Sequence, residues 1–194
     1  MNATRTPRHI PPGWDYNPAT WSQRLPIVGL ALVGFGIALY LSLYQWEVID
    51  RVWDPFFGTP HFGGGSREIL RESSISQRTM QILGVPDAFL GALAYLVDAV
   101  AGVIGSTKRW KTMPWIVVVF GLAVGPLGFV SVMLVVFQPV LYDSFCTLCL
   151  ASAVVSVAMI GPAMDEMLAS LQYLKRVKNS NRSFWRCFWG LDQL

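Results

Sequence analysis

Four stretches of the chain are apolar for long enough to cross a bilayer, and polar segments of unequal length separate them. Residues 25–46 form the first; about 20 residues rising 1.5 Å each cover a hydrocarbon core of roughly 30 Å. The second is 87–105, the third 113–137 and the fourth 144–164. Trp21 and Trp46 bracket the first span as interfacial aromatics. Pro86 suits the first turn of the second, where its missing N–H costs nothing. In the third, Gly121 and Gly125 followed by Pro126 and Gly128 predict close helix contact and a kink.

The connections differ as much as the spans agree. Residues 47–86 open with Trp53-Asp54-Pro55-Phe56-Phe57-Gly58 and pass through Gly63-Gly64-Gly65. They then place Ile69, Leu70, Ile75, Met80 and Ile82 in an amphipathic pattern. That pattern predicts a half-helix lying on the membrane surface as a partial cap over one end of the bundle. The second connection, 106–112, is short and basic, and the third, 138–142, is short and uncharged. Beyond the fourth span, Met167, Leu168, Leu171 and Leu174 recur at helical spacing opposite Glu166, Lys175 and Lys178. This amphipathic segment either continues the fourth helix or turns along the interface. Residues 1–24, with Pro7, Pro11, Pro12, Pro18, Arg5, Arg8 and Arg24, read as an extended tail without the apolar core of a cleaved signal. Residues 179–194 read as a second tail carrying Phe184, Trp185, Phe188 and Trp189. The expected fold is an all-α membrane protein: one four-helix domain over 25–178 with an extracytoplasmic cap.

Composition agrees, since 53% of the residues are hydrophobic and 14% charged, against about a quarter charged in soluble domains. The formal charge of +3 gives no case for nucleic acid, because the basic residues cluster beside apolar runs. Arg5, Arg8 and Arg24, then Lys108, Arg109 and Lys111, then Lys175, Arg176, Lys178, Arg182 and Arg186 lie on one side of the predicted spans. The basic residues of the long connection are offset by Glu47, Asp50, Asp54, Glu68 and Glu72. The bias predicts both termini in the cytoplasm, a multi-pass protein of the inner (cytoplasmic) membrane, and a cap facing a compartment where disulfides persist.

The candidate chemistry sits where the third connection meets the fourth span, at Asp143-Ser144-Phe145-Cys146-Thr147-Leu148-Cys149-Leu150. Thiols two residues apart on a first helical turn are within bridging distance. Asp143 or Ser144 is a candidate N-cap, leaving the amides around Cys146 at the positive helix end, where a thiolate is stabilised. Cys146 would face aqueous partners, and Cys149, deeper, a lipid-soluble oxidant such as a quinone, which accepts the two electrons and two protons that a dithiol releases. The alternative is that both thiols merely pack; spacing, position and the outward face favour redox chemistry. A zinc site would need two further ligands from His61 and acidic residues. Cys187 has no partner in sequence and reads as an inert thiol. Asp98, about 10 Å from the end of its helix, reads as an acid pairing with Lys108 or Arg109, with a proton route as the alternative. Trp53, Phe56 and Phe57 either close over a quinone ring or anchor the cap in headgroups, and Tyr95 either hydrogen-bonds a ligand or packs in the core.

The ordered set of a first span, a long outward cap, Gly84-Val85-Pro86-Asp87 with Gly91, and Cys146-Thr147-Leu148-Cys149 resembles the bacterial branch of the vitamin K epoxide reductase family over about 25–172. The resemblance implies a four-helix bundle that holds a quinone of the menaquinone or ubiquinone type and passes electrons between it and thiols. It makes Cys149 the quinone-facing cysteine and Cys146 the one that exchanges with an incoming thiol, on a thioredoxin-like or other extracytoplasmic protein. Asp87 stands where the family commonly has an asparagine that binds the quinone carbonyl. The family's shuttle cysteines in the outward loop are missing: Asp54 lies near the first position, and Gly65 or Ser66 near the second. The implied activity is therefore a membrane thiol:quinone oxidoreductase, with a noncatalytic quinone-binding or accessory subunit as the alternative.

Overall fold

In the computed structural model residues 10–57, 65–180 and 182–192 are described. Arg5, Arg8, Gly58, His61, Gly63 and Gly64 lie outside the described residues. Helices α1 (Trp21–Gln45), α4 (Asp87–Val103), α6 (Pro114–Tyr142) and α7 (Thr147–Asn179) build the bundle. The cap supplies a short turn, α2 (Gly65–Arg67), running into a π-helical turn (Glu68–Glu72), and then α3 (Ser74–Leu83). Two small helices, α5 (Arg109–Thr112) and α8 (Phe184–Phe188), close the opposite end. Among the described residues there is no strand. The protein is an all-α membrane bundle: α1, α6 and α7 are each long and apolar enough to span, and α4 makes a fourth when taken with the cap helix before it.

The helix bounds depart from the sequence expectation where polar residues continue a helix. The third span does not stop at residue 137 but runs to Tyr142 through Pro139, an interior proline that a membrane helix tolerates when neighbours re-satisfy the freed carbonyl. The fourth helix takes the first of the two courses expected for it, continuing through the amphipathic segment without a turn, 33 residues in all. Arg24 belongs to α1 rather than to a tail and is fully buried.

Helix α1 packs on α4 and α7, and α6 on α7 and α4. At one end Arg24 donates to the carbonyls of Gly102 (2.8 Å), Ile104 (2.8 Å) and Gly105 (2.9 Å), taking up acceptors that the C-terminus of α4 leaves open. At the other end Gln45 reaches Asp87 at the start of α4, so α1 and α4 are antiparallel. Lipid offers no hydrophobic drive between helices, and close van der Waals packing carries the association instead. The core accordingly contains Ala31, Ala38, Ala92, Ala99 and Ala163. A Cβ on Gly34 would lie 2.5 Å from the Tyr95 ring, and one on Gly121 2.5 Å from Met167, so glycine is what permits those approaches. Leu32, Val33, Val97, Phe129 and Val154 are exposed on the outer faces, as lipid contact demands.

The cap is a bent lead-in to α4. Ser73 caps α3 by accepting from the Ser76 amide (3.2 Å). Gly84 ends it in the left-handed region (φ 70°), a conformation natural to glycine at a helix terminus. Pro86 is the extended N-cap of α4 rather than its first helical residue. The result is a 74° bend between the cap helix and α4.

Candidate active site

The link between α6 and α7 sets the cysteine geometry. Asp143 is the C-cap of α6 with φ 49°, a left-handed conformation that aspartate tolerates better than most residues. Because α6 extends so far, neither Asp143 nor Ser144 caps α7, contrary to the sequence expectation. Cys146 itself is the N-cap, and its Sγ accepts from the Cys149 amide at 3.2 Å. The two cysteines form a disulfide with a Cα separation of 5.2 Å, the usual span for such a bridge. After reduction, the same amide and the positive helix end are placed to stabilise a thiolate on Cys146.

Cys146 does not face water. It is fully buried in a cluster with Leu41, Tyr44 and Leu70 under the cap, which corrects the expectation of an exposed outer thiol. Its amide donates to the Gln138 side chain at 3.0 Å. Gln138 lies in the C-terminal turns of α6, where a turn between helices was expected, and is itself buried. Polar latches hold the cap down over the pair. Asp54 accepts from the Thr147 hydroxyl at the start of α7, from the Ser66 hydroxyl (2.5 Å) and amide (3.0 Å), and from the Phe57 amide (3.2 Å). Partial burial pushes the Asp54 carboxyl up, but these hydrogen bonds outweigh it and hold the group below the ordinary aspartate value. Ser144 donates to Glu68 at 2.5 Å, and the Tyr142 and Ser74 hydroxyls lie 3.0 Å apart.

From beneath the latched cap a cavity of about 660 Å³ with predominantly apolar walls runs down between α4, α6 and α7. Cys149, Asp87 and Tyr95 line it together, as do Gln138, Ser131 and Ser152. Asp87 Oδ1 accepts from Gln45 (2.5 Å) and Ser76 (3.0 Å), and Asp87 Oδ2 has no hydrogen bond among the described residues. Gln45 also donates to the Leu70 carbonyl (3.0 Å) and accepts from the Ala88 amide (3.2 Å), so one side chain joins α1, the cap and α4. The Tyr95 hydroxyl is engaged rather than free: it donates to the Ser152 carbonyl (2.7 Å) and lies 2.5 Å from the Ser156 hydroxyl, which receives a bond from Ser131 (3.0 Å).

Phe56 and Phe57, candidates either to close over a quinone ring or to anchor the cap in headgroups, do not line this cavity. The Asp54 latch turns the chain above the 143–146 link, where Phe57 packs on Phe145 with ring centres 5.1 Å apart and Phe56 is 67% exposed. Trp53 is similarly exposed. Sequence reasoning missed Gln45 and Gln138. The available signal was a glutamine at the cap-side end of two otherwise apolar spans. At the far end Cys187 is buried in a cluster with Ala19, Trp110 and Tyr173.

The model of the Vitamin K epoxide reductase family matches residues 25–163 of the chain. No curated protein and no solved structure gives a significant match.

Proposed function

The chain belongs to the vitamin K epoxide reductase family, and from that premise we propose that it is a membrane thiol:quinone oxidoreductase whose whole covalent apparatus is Cys146 and Cys149. Family membership by itself implies oxidoreductase chemistry in a membrane. The observation that carries the finer reading is the apolar cavity of about 660 Å³ lined by one cysteine of the pair, Cys149, and by Asp87. That size suits a ring-sized ligand with a lipid tail, and a quinone supplies the sink for two electrons and two protons. Cys149 faces the ligand, and Asp87 Oδ2 is the polar atom available to orient a carbonyl, as donor only when protonated. Leu41, Leu70 and the Tyr95 ring wall the site with apolar surface. Gln138 and the Cys149 amide hold Cys146 ready to receive the electrons of an incoming thiol.

The thiol comes from another chain, because the cap holds no cysteine; a thioredoxin-like extracytoplasmic protein has the right chemistry. The ligand is of the menaquinone or ubiquinone type, and the charge bias supports an inner-membrane protein with both termini in the cytoplasm. Since Cys146 is buried, exchange requires the cap to lift. Alkylation of Cys146 and Cys149 in membranes, resolved by mass with and without added quinone, tests the reading. The pair is expected to pass from alkylatable to protected as quinone is added; a thiol state indifferent to quinone rejects it.

The burial of Cys146 also favours a second reading, a noncatalytic quinone-binding or accessory subunit of a membrane assembly. That reading requires the Cys146→Ser/Cys149→Ser protein to keep its cellular role, whereas the oxidoreductase loses it.

A further inference from the structure

Asp98 is the buried ionisable group that the electron path leaves unused. It is 1% exposed, and neither carboxyl oxygen has a hydrogen-bond partner among the described residues. Pairing with Lys108 or Arg109, the expectation from sequence, does not occur. Arg109 binds both oxygens of Glu166 (2.5 and 2.6 Å) and donates to the carbonyls of Ala101 (2.5 Å) and Ile104 (2.8 Å). An acid that only helped to pack helices would be expected to find a donor.

Contacts on either side of it fix its depth. Tyr95 on α4 is level with Ser152 and Ser156 on α7, and Ala101 on α4 is joined through Arg109 to Glu166 on α7. Asp98 lies between those two levels, on the same buried stripe of α4 as Ala92, Tyr95 and Gly102. Residues three apart on a helix are neighbours, about 5–6 Å between Cβ atoms, a step that one water can bridge. On the cysteine side of Asp98 stands the hydroxyl cluster of Tyr95, Ser152, Ser156 and Ser131, three members of which line the cavity. On the other side the buried Trp110 Nε1 and Ser170 Oγ also lack partners among the described residues, a pattern that buried waters commonly satisfy. The fully buried charged groups on the surrounding helices are Arg24 from α1, Arg109 from α5 and Glu166 from α7, and α4 itself also carries the half-buried Asp87; Lys111 and Asp165 are half-buried, Lys175, Arg176 and Lys178 are exposed, and α6 carries no charged side chain.

We propose that Asp98 is the proton donor to the cavity, acting through the Tyr95, Ser156 and Ser152 hydroxyls and refilled from the Arg109 end of the bundle. The proposal rests on the thiol:quinone reading above. Closing the Cys146–Cys149 bond breaks two S–H bonds and releases two electrons and two protons, and the quinone, as oxidant, takes up two of each. When the Asp98 O–H bond breaks to supply one of those protons, one cysteine proton leaves at the cysteine end, and Asp98 regains a proton from the opposite end.

The experiment uses the full-length protein in detergent, prereduced and mixed with a short-chain benzoquinone, for wild type, Asp98→Asn and Asp98→Glu. Asp98→Asn is expected to slow quinol formation by about 100-fold, the usual worth of a positioned acid, and to flatten its pH dependence; Asp98→Glu is expected to restore most of the rate. Infrared difference spectroscopy supplies a readout apart from turnover: a protonated carboxyl band in wild type that Asp98→Asn lacks. A wild-type rate and pH profile in Asp98→Asn, or the same carboxyl band in both proteins, overturns the proposal alone. A wild type that leaves the quinone oxidised overturns the thiol:quinone reading and this inference with it.

Discussion

At the Arg109 end the bundle is closed by charge buried among carbonyls, and at the cysteine end by hydrogen bonds at a half-exposed rim. Arg109 and Glu166 are 0% and 1% exposed in their side chains and bridge α5 to α7, while Arg24 fills the carbonyls that end α4. The cap, by contrast, is held by Asp54, Gln45 and the Ser144–Glu68 pair, each tying a short or irregular segment to a helix end. Buried ion pairs are costly to break once formed, whereas partly solvated hydrogen bonds contribute about 1 kcal/mol each. The difference marks the end that can open: the proposed function needs a thiol partner to reach Cys146, and the contacts in its way are the weaker kind.

The largest effect is expected from Arg109→Met. It leaves Glu166 buried without a partner, and breaking a buried pair from one side costs about 3–5 kcal/mol. Thermal unfolding in detergent should show the loss, and Arg109→Met/Glu166→Met should recover much of it, because no charge is then stranded. Equal stability of the single variant and wild type would erase the contrast between the ends. Gln138→Leu comes next. It strands the buried Cys146 amide, a penalty of about 1–3 kcal/mol, while Gln138→Glu keeps the acceptor and should lose less by the same measurement.

How far each end was legible in the sequence follows from the range of its contacts. The apolar spans and the cap could be read from hydrophobic runs, and family motifs, which compress long-range geometry into local spacing, singled out Asp87 and Cys149, two residues that line one cavity; that Tyr95 lines it too was open between ligand contact and core packing. The Arg109–Glu166 pair joins residues 57 apart, with nothing in the local pattern to select Glu166 over Asp98 as partner. The burial of Cys146 depends on Leu70 and Tyr44, brought there by a π-helical turn and by the end of α1. The N-cap was misplaced because α6 outlasts its apolar run by a turn. Phe56 and Phe57 have the aromatic character of a ligand wall, but the Asp54 latch decides where they point, and it closes through Thr147, 93 residues away.

That latch gives the smallest effect and the sharpest division between the ends. Asp54→Asn keeps the shape but removes the charge that four donors share. At a half-exposed site the loss should be roughly 1 kcal/mol after allowance for solvent. Global unfolding should barely register it, whereas cleavage within 47–86 should, because local opening is governed by local contacts. The pH dependence has a fixed sign. The Asp54 carboxyl lies below the ordinary aspartate value in the folded protein, so its contribution is complete above the unfolded value of about 3.9. It is lost as pH falls through the lower folded value. Pepsin cleavage of the cap in wild type should therefore accelerate over that acid range relative to a site on α8, and Asp54→Asn should show fast cap cleavage throughout the range. If cap and α8 open together in both proteins, the ends are closed by one cooperative unit, and Asp54 is no latch.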